Sequence, residues 1–418
     1  MGAERQVPTV GQAAARLASL ASRTRPDFPL LQTTVDGNRI VYLDNAATSL
    51  TPRQVTDEMA RFYHQVGANV HRGKHFLSEQ ASNDFEEVRA LVAQFTGFQS
   101  NEVVFTANAT ASINMIAAGL QLTPDQVVLV PFDSHHSAML PWRRCADVRY
   151  LPVDRDGLVE LDRFAELLRS RPAVVMLNHC SNVSGAYAPV HQMAAMAKEA
   201  GALTVVDAAQ SIGHRSVRDE HFDFLAFSAH KMLGPTGIGV LCGRYQHLSR
   251  LQPTSLGGGT VDWVDTERYE IRKVPHALEA GTPDIAGAYG LGAAVRYLTS
   301  IGHEALADHD RAFGAALTAE ALCRPYLRVL GPCGGADRGA ILSFTVDGVH
   351  NLKEIAKILS DSYGVMCRTG HMCAQPFVDR FTDDEVLRVS GYVYNDHDDI
   401  SLLFSALDAV VMVVGAGR

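Results

Sequence analysis

Through the first two-thirds of the chain, short apolar runs alternate with stretches whose apolar residues recur every three or four positions. VVFT (103–106), QVVLVPF (126–132), AVVML (173–177), ALTVVDA (202–208), DFLAFS (223–228) and GIGVLCG (237–243) have the length of strands. Between them ASINMIAAGL, LDRFAELLRS and VHQMAAMAKEAG carry helical spacing. The alternation predicts an α/β domain on a mostly parallel sheet covered on both faces. After about residue 285 the pattern changes. IAGAYGLGAAVRYLTSIG leads into long helices, AILSFTV, VMCRTG and VLRVSGYVY read as strands, and HDDISLLFSALDAVVMVVG reads as a closing amphipathic helix. A smaller α+β domain is expected over 286–418, joined by the lead-in 1–29, beside a large domain over 30–285.

Composition narrows the class. The 418 residues are 47% hydrophobic and 20% charged, ample for a large core. A net charge of -9 argues against a general nucleic-acid binder. No run of apolar residues is long enough to predict a membrane span. MGAERQVPTVGQAAARLASL lacks the apolar core of a secretory signal and reads as a helical lead-in. Seven scattered cysteines (145, 180, 242, 323, 333, 367, 373) make a poor disulfide framework and predict a reducing cytoplasm.

Ligands of parallel sheets bind beyond the carboxyl ends of the strands, so the polar residues there carry the chemistry. Lys231 follows DFLAFS and precedes a Gly-Pro turn. A partly desolvated lysine there can form a Schiff base; a surface lysine is the plainer reading. Ser228 and His230 flank it as phosphate donors. Asp207 closes ALTVVDA, with Gln210 three residues on. A carboxylate in that place needs a positive partner, and a protonated pyridine nitrogen is one. Thr110 opens a helix, a natural phosphate site. His135 and His136 follow QVVLVPF, where an imidazole stacks on a flat ligand or merely caps a turn. Arg388, among strand residues, is either a carboxylate clamp or a solvated charge. Cys373 lies in RTGHMCAQPF among Gly, His, Gln and Pro, which predicts an accessible thiol. Cys367, His371 and Cys373 lack a fourth ligand and a zinc-like spacing, so no metal is expected.

Taken in order, these segments resemble the group II (SUF-type) cysteine desulfurases, within the fold-type I, class V aminotransferase-like pyridoxal phosphate enzymes. The resemblance runs from RPDFPLL, near residue 25, to the last helix. Its landmarks are YLDNAAT, NVHRGKHFLS, SHHSAMLPW, NHCSNVSG, VVDAAQ, FSAHKMLGPTGIG, EAGTPD and RTGHMCAQPF. It implies a large domain with a mostly parallel seven-stranded sheet and a smaller α+β domain. It also implies that Lys231 is the Schiff-base lysine and that Asp207 faces the pyridine nitrogen. Gln210 would bond the phenolic oxygen, and His135 would stack on the ring and assist proton transfer. Thr110, Ser228 and His230 would bind the phosphate. Thr282 would reach the cofactor of a neighbouring subunit, implying a homodimer. Asn182 and Arg388 would hold the substrate carboxylate. Cys373 would take sulfur from L-cysteine as a persulfide, release L-alanine and pass the sulfur to a small SUF-type acceptor protein for iron–sulfur cluster assembly.

Two departures stand out. The phosphate loop reads NATAS, with Ala109 and Ala111 where the family usually has hydroxyl or acidic residues. Met372 replaces the second histidine before the cysteine. Within the same fold, selenocysteine lyase and other C–S lyases are the alternatives, and a catalytically silent scaffold is the non-enzyme alternative. Only sulfur transfer through the protein requires Cys373.

Overall fold

The computed structural model describes residues 10–154, 156–334 and 337–416. Residues 1–9 of the expected lead-in lie outside these; the rest of it is the helix Val10–Thr24 followed by the 3₁₀ turn Arg25–Asp27 and the start of a second. The chain divides into two compact units. One comprises Ser49–Ser181 and Tyr187–His303; the other comprises the residues up to Thr48, Asn182–Ala186 and Glu304 onward.

These boundaries differ from those expected at 30 and 285. Val41–Tyr42 pairs in parallel with Val365–Met366, which draws the segment before Thr48 into the smaller unit. The helix Ile285–Ile301 packs on Phe76–Thr96 in the larger one. Its small residues allow that approach: a Cβ on Gly292 would fall 2.6 Å from Val88. Asn182–Ala186 joins the smaller unit through short bonds. Ser343 Oγ donates to the Val183 carbonyl (2.6 Å) and the Gly339 amide to the Gly185 carbonyl (2.9 Å).

The larger unit is built on seven strands: β1 (Val103–Thr106), β2 (Val127–Pro131), β3 (Asp147–Leu151), β4 (Val174–Asn178), β5 (Leu203–Asp207), β6 (Phe224–Ser228) and β7 (Gly239–Gly243). Their order is β1-β7-β6-β5-β4-β2-β3, parallel except for β7, which runs antiparallel to both neighbours. Strands β2, β4, β6 and β7 are buried along their whole length, as continuous apolar runs require. Val104, Val128, Met176, Val205, Phe224 and Leu241 share one core with Ile113 and Trp142.

The smaller unit carries an antiparallel sheet of β8 (Leu327–Leu330), β9 (Ile341–Val346), β10 (Arg368–Gly370) and β11 (Val386–Ser390), ordered β8-β9-β11-β10. Phe313, Phe344, Leu387 and Phe404 sit in its core. The VLRVSGYVY run, expected to be strand throughout, leaves the sheet at Ser390. The next residue must be glycine: the Gly391 backbone passes so close to Phe313 that a Cβ would lie 2.2 Å from the ring.

Gly239 positions the chemistry. It pairs with Ser228 on one side and Thr106 on the other. A Cβ there would meet Asn108 Cα at 2.5 Å and the Phe227 carbonyl oxygen at 2.8 Å. Both neighbours are backbone and cannot swing away. Gly239→Ala should therefore push the Asn108 turn off β7 and cost about 1–3 kcal/mol, the range for overpacking a core. Urea unfolding of the purified variant would measure it, and a midpoint equal to that of the parent would refute this role for Gly239.

Candidate active site

In the larger unit the polar residues foreseen from the sequence follow the carboxyl ends of parallel strands. Asp207 is the last residue of β5 and Ser228 the last of β6. Lys231 ends the single 3₁₀ turn Ala229–Lys231 that follows β6. His135 follows β2 and caps the short helix His136–Met139, its Nδ1 accepting from the Ser137 amide at 3.1 Å. That bond leaves Nε2 as the protonated nitrogen of the neutral ring. Thr110 lies in the first turn of the helix Ala109–Gly119, whose Asn108 cap accepts from the Ala111 amide at 2.9 Å. Ser228 Oγ accepts from the Ala109 amide at 2.8 Å, so its own hydroxyl proton is left to donate elsewhere. Gln210 is buried three residues beyond Asp207.

The electrostatics of this group fit a cationic ring carrying a phosphate. Asp207 is 7% exposed. Burial raises its carboxyl above the ordinary carboxylate range, against the opposing pull of the Ala209 amide and Lys231. Those two partners leave the buried charge undercompensated, and a protonated ring nitrogen would complete it. Burial, then the Lys231 charge, pushes His230 down to about 4. His230 is thus a neutral N–H donor at pH 7. With the helix N-terminus at Thr110, these donors suit a phosphate.

Thr282 is solvent-exposed. It lines a cavity of about 210 Å³ with Asn69, His71, Arg72, Gly259 and Arg272.

The smaller unit brings together the other foreseen residues. Arg388, on β11, is 3% exposed. Its Nη1 donates to the Asn182 carbonyl (2.9 Å) and its Nη2 to Asp44 Oδ1 (3.2 Å), while its Nε is buried without an acceptor. Burial pushes the guanidinium below its usual range and Asp44 opposes that push. Arg368, on the neighbouring β10, meets the same carboxylate through Nε (3.0 Å to Oδ2) and Nη2 (2.9 Å). Asn182 Nδ2 donates to the Met372 carbonyl at 2.6 Å.

Met372 and Cys373 form the tip of the loop after β10, with φ of 52° and 54°. Left-handed backbone at a non-glycine residue costs about 1 kcal/mol or more, so two in succession must be held by their surroundings. The Met372 side chain is buried; Cys373 is exposed. Met372 therefore anchors the tip by packing, and His371 instead faces Asp379 at 3.6 Å. Cys367 differs from Cys373 in kind: burial, then Asp44, pushes its thiol up to about 12.

The aminotransferase class-V model matches residues 41–403. The chain belongs to that family. A probable cysteine desulfurase of Streptomyces coelicolor is 38% identical over 403 residues, covering 92% of this chain and 96% of that protein. The cysteine desulfurase of Haloferax volcanii is 38% identical over 409 residues, covering 92% and 95%. Among solved structures, the apo cysteine desulfurase of Thermococcus onnurineus NA1 superposes with a TM-score of 0.86 at 34% identity, over 94% of this chain and 98% of that one.

Within this class-V chain, three polar residues stand beside the foreseen ones, one in the smaller unit and two in the larger, that residue-by-residue reading did not single out. Asp44 lies in the YLDNAAT segment, and its signal was a lone acid among small residues. Ser137 Oγ lies 2.7 Å from Thr110 Oγ1, a second hydroxyl beside the helix start where Ala109 and Ala111 supply none. Asp133, two residues past β2, accepts from Asn178 Nδ2 at 3.2 Å. His71, Glu86 and His276 bring potential ligand atoms within 4.8 Å of one another. Arg89, however, binds both Glu86 oxygens (2.8 and 3.2 Å), and its charge opposes a cation there.

Burial, opposed by bonds from Ser181, its own backbone and Asn178, raises Asp133 to about 6. An acid raised on folding binds more protons folded than unfolded between about pH 4 and 6, so its ionisation costs stability as pH rises through that window. Asp133→Asn should leave stability nearly unchanged at pH 4 and gain about 1–3 kcal/mol at pH 8. Urea unfolding at both pH values would measure the difference; a gain that does not grow with pH would refute it.

Proposed function

We propose that this chain is a pyridoxal phosphate-dependent cysteine desulfurase that converts L-cysteine to L-alanine and takes the sulfur as a persulfide on Cys373. The observation that carries the reading is the buried Asp207 carboxylate at the end of β5, short of positive charge, with Lys231 in the turn that follows the next strand. When bound, the cofactor supplies an electron sink that acidifies the substrate's α-carbon.

The protein's residues do the rest. Asp207 would keep the ring nitrogen protonated, Gln210 would bond the phenolic oxygen and His135 would cover the ring. Ser228, neutral His230 and Thr110 donate to the phosphate, with Ser137 as the second hydroxyl. Lys231 would hold the cofactor, and its Nζ would move the proton of the substrate's α-carbon. Arg388 fixes the substrate carboxylate: a buried guanidinium whose Nε has no acceptor suits a second carboxylate. The Cys373 thiolate then attacks the substrate sulfur. The S–S bond forms as the C–S bond breaks, and the carbon takes the bonding pair and a proton to become the methyl group of alanine.

The exposure of Thr282 suits a side chain that serves the site of a second copy, so the working unit is a homodimer. The exposed Cys373 suits delivery to a small acceptor protein, for which a SUF-type iron–sulfur scaffold system is the candidate. The scattered cysteines suit a reducing cytoplasm.

Adding pyridoxal phosphate to the purified chain should give a visible absorption band that is absent from Lys231→Ala. With L-cysteine and a reductant, the parent should form alanine and sulfide. Cys373→Ala should keep the band and lose at least about 90% of that turnover, because only the thiolate accepts the sulfur. A variant as active as its parent would exclude the persulfide role and favour a lyase.

A further inference from the structure

The residues that would receive the substrate carboxylate are already engaged, and what they engage is the loop that carries the thiol. Arg388 Nη2 lies on Asp44, and Asp44 also takes Arg368, at the start of the strand leading into Cys373. Arg388 Nη1 lies on the Asn182 carbonyl, while the Asn182 side chain holds the Met372 carbonyl next to Cys373. The bonds close a circuit: Arg388 to Asp44 to Arg368 at the loop's root, and Arg388 to Asn182 to Met372 at its tip. Its charges sum to one net positive, from two guanidiniums and one carboxylate, which matches one incoming carboxylate.

We propose that Asp44 is a positioning residue that couples occupancy of Arg388 by the substrate's α-carboxylate to release of the Cys373 loop. The inference rests on the desulfurase reading for the identity of the ligand, not for the circuit itself. With no substrate, Asp44 and Asn182 tether both ends of the loop. A carboxylate arriving at the free Nε of Arg388 stands beside Asp44 and repels it, and it draws on the same Asn182 amide that holds Met372. Asp44 shifts its share of bonding to Arg368, the Met372 tether weakens, and the left-handed pair at the tip is free to relax. The thiol thus becomes mobile when a substrate is in place. The circuit assigns Asp44 no contact with the reacting atoms, and its effect passes through Arg388 and Arg368.

Peptide-resolved hydrogen exchange on the cofactor-loaded protein tests this at constant pH. The Ala374 amide, which donates to the His371 carbonyl at 2.9 Å, reports the turn. L-alanine, which carries the carboxylate and no sulfur, should speed exchange over 371–378 several-fold in the parent. Asp44→Asn should exchange fast without L-alanine and respond little to it; Asp44→Glu should restore the slow, responsive state. In turnover with L-cysteine, Asp44→Asn should lower KM, because the competing carboxylate is gone, and lower kcat, because the thiol is no longer held in reserve near its place. A role confined to folding would not lower KM. Exchange in the parent that ignores L-alanine while the cofactor's spectrum shows that L-alanine binds would overturn the coupling and leave the desulfurase reading intact. No spectral response to any amino acid would overturn that reading, and the coupling with it. The parent measurement needs no variant and stands even where Asp44→Asn fails to fold.

Discussion

A carboxylate walled in at the end of a parallel strand is the constraint on which the larger unit's chemistry depends. Asp207 cannot be solvated where it lies, and the Ala209 amide and Lys231 do not fully offset its burial. A core that tolerates such a group contributes less stability than one closed by an apolar residue at the same place. The arrangement is coherent only if a cationic group arrives and completes it. Binding of that group then stabilises the fold by mass action, so the unit gains on loading what it gives up when empty.

The same economy operates in the smaller unit with the charges reversed. Two guanidiniums on adjacent strands would repel each other, and Asp44 holds them together. Adjacent antiparallel strands place Arg368 and Arg388 opposite each other, so one carboxylate can serve both. Each unit therefore keeps one charge in reserve: negative at Asp207, positive at Arg388.

Much of this was legible in the sequence, and the parts that were not share a physical cause. The six strands read from apolar runs are interior strands, apart from VVFT at one edge. Of the strands that were missed, Asp147–Leu151 and Leu327–Leu330 lie at the edges of the two larger sheets, where residues face water and the apolar run is broken by charged side chains, and the others belong to two-stranded pairs. Lys231, Asp207 and Ser228 could be found because strand ends are predictable places. Asp44 could not, since its role depends on two arginines more than 300 positions away. The domain boundaries shifted for the same reason: pairing of Val41–Tyr42 with Val365–Met366 leaves no local trace.

The partly buried thiol of Cys367 differs from Cys373 in what it can do with sulfur. A thiol pushed up to about 12 stays protonated at pH 7, so it neither attacks a persulfide nor leaves from a mixed disulfide at a useful rate. Cys242, likewise pushed up to about 12 by burial, is silenced in the same way. A chain that carries reactive sulfur on one cysteine is exposed to scrambling onto its others, and the nearest in sequence is only six residues away. Burial insulates Cys367 and Cys242 in this way, while Cys323 and Cys333 are exposed like Cys373.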